Sequence, residues 1–166
     1  MELIRPLLST SIILLSVCVA SAGELNVEIT GLKNGRGNVV AFLYSRKFQG
    51  KFPRALKENS NELEPGVDRA SVKSSEGSVV VTFTSVAAGT YAVSILHDEN
   101  CTGRAEMNWT GKIPKEGTGL SNNPNIGLFN PPDFEESSFK VSGSETSIKI
   151  EAKYYSAYKA QTSDCH

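Results

Sequence analysis

The sequence predicts an all-β protein: an antiparallel two-sheet β-sandwich of about seven strands, carrying one long ordered loop. Three observations lead there. Apolar and polar residues alternate with period two in several short runs, turn-forming residues separate the runs, and no stretch has the 3.6-residue apolar spacing of an amphipathic helix. At 166 residues, 39% hydrophobic and 21% charged, the chain has the composition of one globular domain. A formal net charge of -1, with Lys and Arg scattered, argues against a nucleic-acid partner.

Residues 1–22 read as a signal peptide. Arg5 precedes an apolar run from Leu7 to Val19, and Ala20-Ser21-Ala22 offers the small-x-small pattern cut after Ala22. The run is shorter than the roughly 20 residues of a membrane-spanning helix, and Val17 is too bulky for a lipoprotein signal ending at Cys18. The expected location is therefore the periplasm or the extracellular space, with no transmembrane segment in the mature chain. Cleavage would leave two cysteines, Cys101 and Cys165, in an oxidising compartment. They are either a bridge, worth about 4 kcal/mol by chain entropy, or two thiols.

Residues 23–155 form the expected sandwich domain. Leu25, Val27 and Ile29 alternate with polar neighbours up to Gly31, and Asn34-Gly35 then supplies hairpin-turn chemistry. Val39 to Tyr44 is continuously apolar, as in a central strand covered on both sides, or else alternates irregularly. After it, Phe48 and Phe52 are expected over a sheet edge, with a short helix near Arg54 to Glu58 confined by Pro53. Val67 to Lys73 is a weak strand signal, whereas Val79, Val81 and Phe83 mark a clear inward face. Ala87-Ala88-Gly89-Thr90 turns into the strand opened by Tyr91, whose position suits a tyrosine hydroxyl tying a corner to upstream backbone, as in immunoglobulin-like or transthyretin-like Greek-key sandwiches. Ser138 to Val141 and the alternating Ile148, Ile150, Ala152 and Tyr154 close the domain, with Ser142 to Glu145 read as their hairpin connection. Residues 156–166 form a tail, ordered if Cys165 is bridged.

The long loop spans residues 97–136, about 40 residues, against the 4 to 6 of an ordinary connection. Trp109, Ile113, Leu120, Ile126, Leu128, Phe129 and Phe134 give it too many apolar groups for a solvated coil, so it is expected to fold down on the end of the sandwich. Asp98, Asn100, Thr102 and Glu106 occupy positions 1, 3, 5 and 9 of a calcium loop, with Gly103 at the sharp turn and the Arg104 carbonyl at position 7. Position 12, which should bring a bidentate carboxylate, is Trp109, so Glu99 or Glu116 would have to complete the shell. The competing reading is an Asx-turn loop in which Asp98 and Asn100 bond their own backbone. A sequon, Asn108-Trp109-Thr110, is present as well.

A hydrolase would need a nucleophile, a base and an orienting group, and the candidates are Ser121, His97 and Asp98 or Glu116. No Gly-x-Ser-x-Gly elbow or His-Glu-x-x-His zinc motif occurs. His97 and Asp98, adjacent on a strand, point to opposite faces.

The run His97-Asp98-Glu99-Asn100 with Gly103, then Ile113-Pro114-Lys115-Glu116-Gly117-Thr118-Gly119-Leu120-Ser121-Asn122-Asn123 and Pro131-Pro132-Asp133-Phe134-Glu135, resembles the secreted bacterial family known as domain of unknown function 2141. Leu25 to Leu32 and Ala88-Gly89-Thr90-Tyr91 resemble it too. The family pattern is closer to His-Asp-Glu-Asn-x-Asn-Gly-Lys-x-Asp; here Thr102 replaces an Asn, Glu106 replaces the final Asp, and Cys101 stands where a small residue is usual. The resemblance implies an exported β-sandwich with no catalytic residues to transfer, and motif positions at His97, Glu99, Gly103, Pro114, Glu116, Gly117, Ser121, Asn122 and Asn123. The leading expectation is a non-enzymatic binding or accessory module for a protein or envelope ligand, its 97–136 loop a candidate for Ca²⁺. An envelope structural or assembly component and a secreted hydrolase are the alternatives.

Overall fold

The computed structural model describes residues 22–57, 65–125 and 133–155. Among the described residues, eight strands form two sheets, consistent with an all-β sandwich. β1 (Ala22–Leu32), β4 (Gly77–Ala87) and β8 (Glu145–Glu151) make a three-stranded sheet in the order β4-β1-β8. The second sheet runs β3 (Val67–Lys73), β2 (Asn38–Ser45), β5 (Gly89–Asp98), β6 (Gly117–Leu120), with β7 (Phe139–Val141) pairing the opening half of β5.

Period-two alternation places Leu25, Val27 and Ile29 of β1 inward against Val81 and Phe83 of β4, and the facing sheet contributes Val39, Ala41, Leu43, Val93 and Ile95. Val40, Phe42 and Tyr44 fill a second cluster on the opposite face of β2 with Phe52, Leu56, Ala92, Leu96, Ala105, Leu120 and Phe134. β2 is thus covered on both sides, which is what its unbroken apolar run requires. Tyr44 stacks edge-on against Phe52 at 5.2 Å, and its hydroxyl accepts from the Ala55 amide at 3.1 Å. A 3-10 segment, Arg54–Leu56, stands where the short helix was expected, and another, Arg46–Lys51, precedes it. Phe52 is buried there, while Phe48 lies against Gly66. The Tyr91 hydroxyl donates to the Ala87 carbonyl at 2.9 Å, closing the anticipated corner.

Three expectations are corrected. The sandwich is not wholly antiparallel, because β8 runs parallel to β1, Leu25 opposite Thr146 and Ile29 opposite Ile150. Ser142 to Ser144 is not a hairpin turn: β7 pairs with β5 and β8 with β1, so the segment carries the chain from one sheet to the other. The stretch 97–136 is not one unbroken loop, since β5 runs on to Asp98, β6 pairs with β5, and a short helix, α1 (Phe134–Ser137), follows. Asp133 caps α1 by accepting from the Glu135 amide at 3.1 Å.

β6 gave no alternation because it is Gly117-Thr118-Gly119-Leu120. A Cβ on Gly117 would stand 2.5 Å from the Tyr154 ring, and one on Gly119 2.7 Å from the Glu151 carbonyl oxygen. Two glycines let β6 press against β8 and its continuation, where Thr118 and Lys153 exchange backbone hydrogen bonds at 3.0 and 2.8 Å. Asn123 continues the seam: its side chain accepts from the Glu151 amide at 2.8 Å and donates to the Lys149 carbonyl at 3.3 Å. The free edge of β8 is thereby capped.

Ile126, Leu128, Phe129, Pro131 and Pro132, the segment 1–21, the tail 156–166 and Cys165 lie outside the described residues, so the leader and the cysteine pairing are not placed. Among the described residues no helix is long and apolar enough to cross a membrane.

Candidate functional site

β5 empties into the loop as His97-Asp98-Glu99, and these three side chains, with that of Glu116 at the entry to β6, are all buried. Strand geometry sends them different ways. The His97 Nε2 lies 2.8 Å from the Arg36 carbonyl oxygen and 2.9 Å from Ser74 Oγ. A carbonyl only accepts, so Nε2 carries the proton, and Nδ1 accepts from the Tyr154 hydroxyl at 2.6 Å. Burial holds the imidazole below its ordinary pKa, and burial pushes the Tyr154 phenol up to about 12. His97 is therefore a neutral ring with both nitrogens committed, joining the β1–β2 turn to the end of β8.

Asp98 turns the other way. Its Oδ1 accepts from the Thr102 amide at 3.0 Å and its Oδ2 from the Gly103 amide at 2.9 Å. The Asn100 side chain reaches the same Thr102 amide at 3.3 Å, and the Thr102 hydroxyl donates to the Arg104 carbonyl at 3.0 Å. This is Asx-turn geometry. Burial raises the Asp98 carboxyl against the lowering effect of the Gly103 and Thr102 amides. Gly103, at φ 76°, makes the sharp turn. Gly37, at φ 68°, answers it from the end of the β1–β2 turn, where a Cβ would stand 1.9 Å from the Asp98 carbonyl oxygen.

Glu99 faces the β1–β2 turn. Its Oε1 accepts from Asn34 Nδ2 at 2.7 Å and from the Arg36 guanidinium at 3.1 Å, and Lys33 Nζ lies 3.2 Å from Oε2. Burial alone would raise this carboxyl, but the hydrogen bonds from Asn34 and Lys33 and the Lys33 charge hold it below the ordinary value. Glu116 has amides in place of cations. Its Oε1 accepts from the Glu99 amide at 3.2 Å and its Oε2 from the Glu106 amide at 3.1 Å. Burial, aided by the charges of Asp98 and Glu106, pushes it up to about 7.

The loop held by these four groups folds onto the outer face of the five-stranded sheet, which corrects the expectation of packing on the end of the sandwich: Ala105 lies in the second core cluster and Met107 packs against it. Residues 106–108 and 113–115 then form a narrow antiparallel hairpin. Met107 bridges Pro114, the Asn108 amide donates to the Ile113 carbonyl at 2.8 Å, and the Lys115 amide donates to that of Glu106 at 2.7 Å. The Glu106 carboxylate faces Lys115 at 3.9 Å. At the tip, Asn108 Oδ1 accepts from the Thr110 hydroxyl at 2.7 Å and from the Lys112 and Ile113 amides at 3.2 Å. Trp109 was expected to help bury the loop; it is 95% exposed at the apex.

Ser121 is tied into the backbone on two sides. Its buried hydroxyl accepts from the Val93 amide at 2.9 Å and donates to the Ser137 carbonyl at 2.5 Å. Asn122, at φ 62°, donates to the Ser138 carbonyl at 2.7 Å. Among the described residues, no group of three or more His, Cys, Asp or Glu side chains is disposed to hold a metal ion. Sequence reasoning missed Lys33, Asn34, Arg36, Ser74 and Tyr154 as members of the cluster. The only local signal was the Asn34-Gly35 turn, because their partners are distant in the chain.

The family described as "Uncharacterized protein conserved in bacteria (DUF2141)" matches residues 27–149, which runs from the second half of β1 through most of β8 and covers the whole cluster except Tyr154. The chain belongs to DUF2141. No curated protein and no solved structure gives a significant match. Within this DUF2141 chain, the motif residues His97, Glu99, Gly103, Pro114, Glu116, Gly117, Ser121, Asn122 and Asn123 all serve the architecture around the loop, each through a contact or a backbone demand described above.

Proposed function

We propose that the protein is an exported, non-enzymatic binding or accessory module whose working surface is the hairpin between Glu106 and Lys115. One observation carries this reading: a braced turn holds a tryptophan in water, 95% exposed. A large aromatic side chain left out of the core forgoes the burial that ordinarily stabilises a fold, and tryptophan is a preferred anchor in recognition surfaces. The buried groups beneath it brace the display. Export, with cleavage after Ala22, and a Cys101–Cys165 bridge are parts of the same proposal. Amino-terminal sequencing that finds Gly23 first, and a thiol count of zero before reduction, are the expected results.

The test compares the wild type with Trp109→Ala for retention by immobilised bacterial envelope fractions. Retention that falls roughly ten-fold or more in the variant supports the reading; equal retention of both proteins overturns it.

A calcium ion held by Asp98, Asn100, Thr102, the Arg104 carbonyl and Glu106 is a second reading, favoured by the gathering of the first three on one tight turn. It competes with the amides that already occupy both Asp98 oxygens. A saturable Ca²⁺ response of the single tryptophan, lost in Asp98→Ala, would establish it; silence to millimolar Ca²⁺ would end it.

A further inference from the structure

The tip of the hairpin has a chemistry of its own. Trp109, Thr110, Gly111 and Lys112 make the turn, and all four are exposed. Gly111 adopts φ 70°, with open space around its Cβ position, so none of the described residues packs against that side of the turn. Ile113 and Pro114 stand half-exposed just below it. Three cations, Arg104, Lys112 and Lys115, lie on the loop between residues 104 and 115 against one half-exposed carboxylate, Glu106, on a chain whose overall formal charge is -1. The hairpin thus carries a small positive excess on a slightly acidic protein, with Lys112 on the apex turn beside an amphipathic aromatic ring and Lys115 facing Glu106 at its base.

That combination matches the boundary of an anionic bilayer. An indole favours the headgroup level, where its ring meets hydrocarbon and its N–H meets water, and lysine or arginine beside it gains from the surface potential of anionic lipid. The turn is also narrow and partly self-bonded, through Asn108 Oδ1 and the Gly111 amide to the Asn108 carbonyl at 2.8 Å, so three of its amides enter the headgroup layer already paired. We propose that the Trp109–Lys112 turn is an interfacial anchor that seats the protein on an anionic phospholipid surface. This rests on the hairpin being the working surface, and it names the partner.

One tryptophan and a few cations give weak, reversible, salt-dependent attachment. Trp109 is the single tryptophan of the chain, so its fluorescence reports this site alone. The experiment titrates the purified protein with vesicles of phosphatidylcholine plus phosphatidylglycerol, and with phosphatidylcholine alone, at low and high salt. Vesicle sedimentation is measured in parallel for the wild type, Trp109→Ala and Lys112→Gln. The expected result is a blue shift with the anionic vesicles only, quenched by brominated lipid and suppressed by salt. Sedimentation should be lost in Trp109→Ala and weakened about five-fold in Lys112→Gln. An unshifted spectrum with anionic vesicles at low salt, or undiminished sedimentation of Trp109→Ala, overturns the anchor. If the spectrum stays unshifted while envelope proteins still retain the wild type over Trp109→Ala, the partner is a protein and the hairpin reading survives; if that difference is absent too, both fail together. Unchanged melting of the two variants confirms that each is folded.

Discussion

Glu99 and Glu116 are two glutamates sealed from solvent at the same end of the sheet, and Glu116 accepts a hydrogen bond from the backbone amide of Glu99 itself. Their surroundings push them in opposite directions. Glu99 meets Lys33, Asn34 and Arg36 and is held below the ordinary carboxyl value; Glu116 meets two amides and the nearby charges of Asp98 and Glu106 and rises to about 7. Burial is common to both, so the difference lies in the partners: cations keep a buried carboxylate charged, whereas backbone dipoles beside other carboxylates do not suffice. One residue ties the loop to the β1–β2 turn as an ion, and the other ties β5, the hairpin and β6 together as a group close to neutrality.

The sharpest way to break this contrast is Glu99→Ala. It removes one ion pair from each of Lys33 and Arg36 and the acceptor for Asn34, and because both cations are part-exposed the cost is set below that of a fully buried pair, at about 2 kcal/mol in denaturant unfolding at pH 7. A cost near zero would mean that Glu99 is not a tie.

Glu116 enters through pH. Its folded pKa lies above the unfolded 4.5, so the folded state binds the extra proton between them, and the stability it contributes is present in acid and lost as pH rises through about 7. Glu99 has the opposite sign, its contribution being lost as pH falls below 4.5, and neutral buried His97 likewise costs stability as pH falls below 6.5. Wild-type stability should therefore decline between pH 6.5 and 8, by just under about 1 kcal/mol from Glu116, and Glu116→Gln should flatten that limb. A limb unchanged by Glu116→Gln would contradict the assignment.

Tyr154→Phe takes the donor from His97 Nδ1 and should cost about 1 kcal/mol. Trp109→Ala should change stability by less than about 0.5 kcal/mol, because its ring touches water. Together these separate the braced base of the hairpin from its free tip.

Much of the fold was legible in the chain. β1, β4 and the first part of β5 announce themselves by alternation, β2 by its unbroken apolar run, and Tyr91 by its place after Gly89. β6 was hidden because Gly117 and Gly119 are selected by the close approach of Tyr154 and Glu151, a demand of packing that leaves no periodicity. The Ser142–Ser144 link resembled a hairpin because turn residues look alike whether a chain returns beside itself or crosses to the other sheet. The loop motif was recognisable as residues but not as roles. Oxygens spaced for a cation and oxygens spaced for backbone amides follow the same pattern from Asp98 to Thr102, and Glu99 acquires Asn34 and Arg36 from 65 and 63 residues away.

The most direct measurement of the account is amide hydrogen exchange of Thr102, Gly103 and Glu106 in chelator-treated protein. Asp98 and Glu116 accept these three N–H groups, so the account predicts slow exchange at all three without any added ion. Fast exchange in chelator, with protection appearing only on addition of Ca²⁺, would contradict it and make the loop an ion-built structure.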